Sequence, residues 1–509
     1  MGFSELLHTI GGMGNFQILQ TALIMFPAIL ITCHNFLQNF TAMTPEHHCR
    51  PVNWTNGSQV PGGVRDGDLL RVFIPLDKDQ KPERCLRFSE PHWQILNLNG
   101  TSSLNLDTEG CLDGWVYDQS VDSSIVSEWD LVCEHKSLKS IAQSIYMTGQ
   151  LVGAITFGIF SDRYGRKRVL QSATVLMIAV GLGAACAPSF PAYCAFRFLS
   201  GMAMTGIIVA SLCLTMEWTP TQRRTLVNTY AMYMITLGQV ILSGLAYFIR
   251  QWRWLQGTVS VTYVIILLYS WGLPESACWL VTHNKLDMAV KNLQAVARLN
   301  GRKEQGRKLT PEVVSFHMQE DTAAVKESPF FLDLFRTPGL CKVTCCIALG
   351  WFSAGFSFYG LALDVQKFGF NIYWVQMLFT VMDLPTKLLA GLSMGYFGRR
   401  ITVVSLLLLA SCMILVTTFV PQGEMILCLF GKGSLAGCFT YGSEGDPWVA
   451  QRFGACLCPV LQPVMFGLMP ILAAIAASFL TETNNQPLLD TIQETEKREL
   501  EKKVRHSTS

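Results

Sequence analysis

The feature that most constrains this chain is a dense basic turn at residues 158–168, GIFSDRYGRKR, set between two long apolar runs. Lysine and arginine resist translocation, so a turn of this kind between two spanning helices marks the cytoplasmic side of a membrane. Gly158 and Gly165 permit a tight turn, and Asp162 counters Arg163 and Arg166. A degraded echo, GYFGRR at residues 395–400, stands between two further apolar runs in the second half. A turn that recurs between like helices points to two related helical bundles, which is carrier architecture. The competing reading is a positive-inside anchor on an unrelated membrane protein, and the recurrence weighs against it.

Composition agrees. Of 509 residues, 50% are hydrophobic and 15% charged, where soluble domains carry about 25% charged residues. A net charge of +2 offers no case for nucleic acid. The first 17 residues contain Glu5 and His8 without an early basic region, so they do not read as a secretory signal. The first span is expected at 16–36, kinked at Pro27, with a cytoplasmic N-terminus.

Residues 37–135 form a long polar insert. It carries the Asn-x-Ser/Thr acceptors Asn39, Asn53, Asn56 and Asn99, and four cysteines, Cys49, Cys85, Cys111 and Cys133. Sequons and an even cysteine count in one loop beside a membrane helix place the loop outside, glycosylated and bridged by two disulfides, with three pairings open. The orientation agrees with the basic turn at Arg163. A metal site on these cysteines would call for CxxC spacing, which is absent, so no metal is expected.

Five more spans are expected in the first half, at 140–160, 169–187, 192–216, 226–249 and 255–273. A basic stretch at 274–340, with an amphipathic segment at 286–299, follows as a cytoplasmic linker. Second-half spans are expected at 341–363, 372–397, 401–420 and 425–441. A single run at 453–480 then stands where two helices should be. Two spans need about 40 residues, more than this run holds. The tail from 482 is charged and reads as disordered and cytoplasmic. The expected organisation is therefore a first bundle over 1–273, the linker over 274–340, an incomplete second bundle over 341–481 and a tail over 482–509.

Several motifs resemble the organic ion carriers of the major facilitator superfamily, in their organic anion transporter branch. These are CHNFLQNFTA at 33–42, HHCR at 47–50, CLDGWVY at 111–117, EWDLVC at 128–133, and the basic turn itself. The likeness is nearest to the renal para-aminohippurate type and the olfactory-mucosa type, and it covers nearly the whole chain. It implies an all-α membrane protein with the two-bundle fold and nominally 12 helices. Two departures stand out. The family's arginine after Pro-Glu-Ser-x is Cys278 here, and the second half lacks the counterpart of the 217–224 turn. About two dozen residues are missing between Gly431 and Gly467 against a full helix of about 20.

An organic anion needs a cation at membrane depth and an aromatic wall. Lys387 lies midway along the eighth span, one turn after Asp383, and ionisable groups at that depth are functional candidates. The bland reading is that the two neutralise each other. The resemblance implies substrate contact by Lys387, by Arg452 and by the aromatic pair Phe358 and Tyr359, with Trp351 beside them. Arg452 can equally be a simple topogenic arginine. Tyr233 and Asn35 are weaker candidates, and Arg197, near the outer end of its span, is read as structural, snorkelling to the interface. No Walker motif is present, so ATP-driven pumping, catalysis and cofactors are not expected.

The resemblance implies a plasma-membrane antiporter that takes up aromatic or amphipathic carboxylates against an intracellular dicarboxylate. Its partners would be those anions and the lipid bilayer, with a second copy of the chain left open. The rival readings are an organic cation carrier and a non-transporting isoform.

Overall fold

The computed structural model describes residues 3–50, 66–77, 81–90, 92, 107–117, 123–220, 223–317, scattered positions within 341–357, 372–419 and 461–478. Among the described residues, five helices are long and apolar enough to cross a membrane: Asn15–Thr41, Cys133–Tyr164, Arg166–Ala185, Phe190–Trp218 and Leu226–Phe248. They fall on the first five expected spans. The sixth is divided into Trp252–Val261 and Tyr263–Ser270. At the break the Thr262 hydroxyl donates to Thr258 O at 2.8 Å, and Thr262 O accepts from Ile265 N at 3.1 Å, a locally tightened turn.

Small residues set the tightest packing in the first half. A Cβ on Gly149 would lie 2.1 Å from Phe198 O, and one on Gly201 2.1 Å from Tyr146 O. Only glycine lets helices Lys136–Tyr164 and Phe190–Trp218 approach this closely, the packing mode that replaces hydrophobic drive inside lipid. Helix Phe190–Trp218 starts with Pro191 in its first turn, where the missing N–H costs nothing, and stops before Pro220.

The basic turn is built as a charge cluster. Gly165, at φ +102°, adopts a backbone that other residues resist. Glu275 accepts from the backbone N–H groups of Arg166 at 3.0 Å and Lys167 at 3.1 Å, so a carboxylate caps the start of helix Arg166–Ala185. Arg166 pairs with Asp162 at 3.0 Å and Glu217 at 3.1 Å, tying three helices at one end. Arg163 points outward, 5.7 Å from the Tyr164 ring centre. The described part of the 274–340 stretch is helical and joins the first half's core. Helix Leu286–Leu299 buries Leu293, Val296 and Ala297 there. Asn300 then ties down the N-terminus, accepting from Phe16 N at 3.0 Å and donating to Ile10 O at 3.2 Å.

At the opposite end the polar insert forms a small domain. Strand β1 (His47–Cys49) pairs antiparallel with β4 (Trp115–Tyr117), and β2 (Leu86–Phe88) with β3 (Thr108–Gly110). Disulfides join Cys49 to Cys111 and Cys85 to Cys133. Arg87 is buried between Glu109 at 2.8 Å and Asp113 at 2.6 Å. Trp129 packs against Phe190, Tyr193 and Trp252, and Glu128 accepts from the Trp252 indole at 2.8 Å. The insert is thereby seated on the helix ends.

In the second half, helix Ile372–Phe397 lies against helix Arg224–Phe248 of the first. Helices Arg399–Phe419 and Leu461–Ser478 pack on each other through Leu407, Ala473 and Ala474. The expected spans at 341–363 and 425–441 and the shortened region between Gly431 and Gly467 lie largely or wholly outside the described residues.

Candidate functional site: a polar seam between the two halves

Helix Ile372–Phe397 carries Gln376, Thr380, Asp383 and Lys387, all buried. Spacings of four, three and four residues put them on one stripe. That stripe meets the first half. Gln376 Oε1 accepts from Asn39 Nδ2 at 3.4 Å. Thr380 Oγ1 donates to Gln376 O at 2.8 Å on its own helix and lies 3.3 Å from Gln239 Oε1 of the first half. Lys387 Nζ donates to Thr236 Oγ1 at 2.5 Å and reaches Met232 O at 3.5 Å. Thr236 spends its own proton on Met232 O at 3.2 Å, which turns a lone pair toward the ammonium.

Toward the end that bears the disulfide-bonded domain, the seam is sealed by apolar groups. Phe36, Leu37, Leu242, Val375 and Phe379 are buried together. Phe40 stacks on Tyr373 at 5.6 Å, and Tyr247 meets the same ring edge-on at 5.8 Å.

A second polar group lies within the first half. Asn35, half-buried, accepts from Tyr146 Oη at 2.9 Å and from Gln150 Nε2 at 2.8 Å. The Tyr146 ring lies 4.2 Å from the Arg197 guanidinium carbon. Arg197 donates to Gln38 and Gln143, each at 3.2 Å, and is 1% exposed. The expectation that Arg197 snorkels to the interface is therefore corrected. Two neutral amides and an aromatic face hold its charge inside the bundle.

Asn39 also departs from expectation. It lies within helix Asn15–Thr41, 6% exposed, with its amide directed at Gln376. Glycosylation at Asn39 is incompatible with that burial, since an attached glycan must be solvated. Asn53, Asn56 and Asn99 lie outside the described residues, as do Trp351, Phe358, Tyr359 and Arg452. Tyr233 is half-buried on the helix that supplies Thr236.

Sequence reasoning missed Tyr146, Gln150, Thr236, Gln239 and Gln376. They recur as amides and hydroxyls in otherwise apolar spans, a pattern too common to single out which of them meet across the seam. His47, Cys85 and Cys133 bring ligand atoms within 4.8 Å of one another, yet both cysteines are disulfide-bonded and offer no thiolate to a metal.

The family of sugar (and other) transporters matches residues 99–451. The chain is 47% identical to solute carrier family 22 member 20 of Mus musculus, across 98% of this chain and 94% of the relative. It is 44% identical to organic anion transporter 3 of Rattus norvegicus, across 97% and 94%. Among solved structures it resembles the partially occluded, inward-open xylose transporter XylE of E. coli, with a TM-score of 0.61 and 16% identity over 93% of this chain and 99% of that one. At that identity the likeness shows the fold, that of the major facilitator superfamily.

Proposed function

Because the chain belongs to solute carrier family 22, within the sugar and other transporters, and is a transporter and not an enzyme, we propose that it carries small organic anions across the plasma membrane. The observation that carries this reading is Lys387, a cation buried at the contact between the two halves. A cation there attracts an anion and repels a cation, which weighs against an organic cation carrier. The relatives named as organic anion transporters support the same sign of substrate. Arg452 would add positive potential, and Trp351, Phe358 and Tyr359 the apolar wall; Asn35 and Tyr233 would contribute from the first half.

In the finer reading the chain works by alternating access, exchanging aromatic or amphipathic carboxylates for an intracellular dicarboxylate. The N-terminus and the Asp162–Arg166 turn face the cytoplasm. The disulfide-bonded domain faces outward and is glycosylated at Asn53, Asn56 and Asn99. The test is uptake of para-aminohippurate by cells expressing the chain, with and without glutarate inside, against competition by tetraethylammonium. Competition by tetraethylammonium alone would reverse the assigned charge.

A second reading rests on length. The alignment with member 20 runs over 530 residues, more than the chain's 509, so the relative holds residues with no counterpart here. We place the gap between Gly431 and Gly467 and expect this form to transport poorly, because alternating access rocks two matched bundles. Restoring a relative's segment should raise uptake per surface molecule, and equal uptake by the two forms would reject this.

A further inference from the structure

We propose that the Lys387–Thr236 hydrogen bond is a latch that holds the unloaded carrier closed, and that the carboxylate of an organic anion opens it by drawing the ammonium away. The inference rests on the reading that Lys387 binds the anion, and it adds that Thr236 positions that lysine and couples binding to movement.

The geometry runs as follows. Lys387 belongs to the second half, and two acceptors of its ammonium, Thr236 Oγ1 and Met232 O, belong to helix Arg224–Phe248 of the first. Of the polar contacts named along the seam, this is the charge-assisted one, and such bonds are roughly twice as strong as neutral ones. Thr236 is fully buried and Lys387 is 5% exposed. The lysine is therefore too covered to meet a ligand where it sits. An anion must uncover it to reach it, so anion binding competes with the contact to Thr236.

Rocking of the two bundles requires contacts between them to break. Breaking this one in an empty carrier takes a charge-assisted hydrogen bond from a buried ammonium with nothing from the substrate to replace it, which is costly. With an anion present, a carboxylate replaces the hydroxyl and the cost is met within the site. A carrier built this way moves readily when loaded and slowly when empty, which is the property that makes an exchanger. The seal of Phe40, Tyr247 and Tyr373 lies at the end of the seam beyond Gln376.

The experiment compares wild type, Thr236→Val and Thr236→Ser as full chains in membrane vesicles, corrected for the amount of carrier at the surface. Para-aminohippurate uptake is measured with and without glutarate inside. Valine keeps the shape of threonine and removes the acceptor. Thr236→Val should raise uptake into empty vesicles several-fold and bring the stimulation by internal glutarate close to one. Thr236→Ser should keep the wild-type ratio. An unchanged ratio in Thr236→Val, or a serine variant that behaves like valine, would overturn the latch. A merely structural role for Thr236 would lower both uptakes together and leave the ratio alone.

Hydrogen exchange of the purified chain supplies a readout that does not depend on transport. Without anion, residues 36–43 and 372–380 should exchange faster in Thr236→Val than in wild type, and para-aminohippurate should speed exchange in wild type. Equal exchange in the two proteins would also overturn the latch. Lys387→Ala separates the two levels. If its KM for para-aminohippurate matches wild type, the reading of Lys387 as the anion's partner fails. If KM rises about tenfold while Thr236→Val changes nothing, the latch alone fails.

Discussion

Arg197 and Lys387 are both cations buried in spanning helices, 1% and 5% exposed, yet they are held in opposite ways. The named contacts of Arg197, with Gln38, Gln143 and Tyr146, come from its own half. Those of Lys387 with Thr236 and Met232 come from the other half. A charge satisfied within one bundle travels with that bundle and stiffens it. A charge satisfied across two bundles must change partners when they move. A buried cation thus stiffens one bundle in the first case and, on our proposal, takes part in the transport cycle in the second, and the place of its partners separates the two.

The largest effect should come from Arg197→Ala. Removing the guanidinium costs two charge-assisted hydrogen bonds, together about 3 kcal/mol or more. Surface abundance, measured by labelling, should fall steeply, with uptake falling in proportion. Reduced uptake at normal abundance would instead place Arg197 in the transport cycle and break the comparison.

Lys387→Ala should do the reverse, lowering uptake of a monoanion about tenfold per surface molecule while abundance changes little. Asp383, one turn away and buried, sharpens this. If the acid and the lysine serve only to neutralise each other, Asp383→Asn will match Lys387→Ala in both measurements. With Lys387 as the anion's partner, the two variants should differ in KM.

The smallest effect concerns a third buried basic group. His47, on strand β1, donates from Nδ1 to Pro45 O at 2.9 Å in its neutral form. Burial, which penalises the charged ring, pushes its pKa below the ordinary histidine value. The unfolded ring therefore takes up protons first as pH falls through about 6.5. Stability from this group is full above that pH and declines as pH drops toward the depressed folded value. Limited proteolysis of the disulfide-bonded domain should be modestly faster at pH 5.5 than at pH 7.5, and His47→Gln should flatten the difference. Equal cleavage at both pH values in wild type would show that His47 contributes nothing.

The helices of the first half were legible because each is a long apolar run ended by local signals. Pro191 opens one and Pro220 follows its end, and Gly165 with its basic neighbours turns the chain between two. The cluster of basic and acidic groups at that turn was visible only in part, since Glu217 and Glu275 come from distant points in the chain. The candidate site was legible at Lys387, where a charge interrupts an apolar run. It was not legible at Thr236, Gln239 or Gln376, because uncharged polar residues in a span are common and nothing local says what they face.

What the sequence determined by itself is membrane residence, the helices and the positions of the buried charges, because apolar length, turn chemistry and charge are properties of neighbouring residues. The tertiary structure decided the rest. It chose the disulfide partners Cys49–Cys111 and Cys85–Cys133, turned Asn39 inward against a sequon that pattern alone would leave outside, and gave Arg197 partners in its own half and Lys387 partners in the other. Those outcomes depend on which distant side chains occupy the same space. A buried polar group is stable only beside a partner, and the fold alone determines where that partner stands.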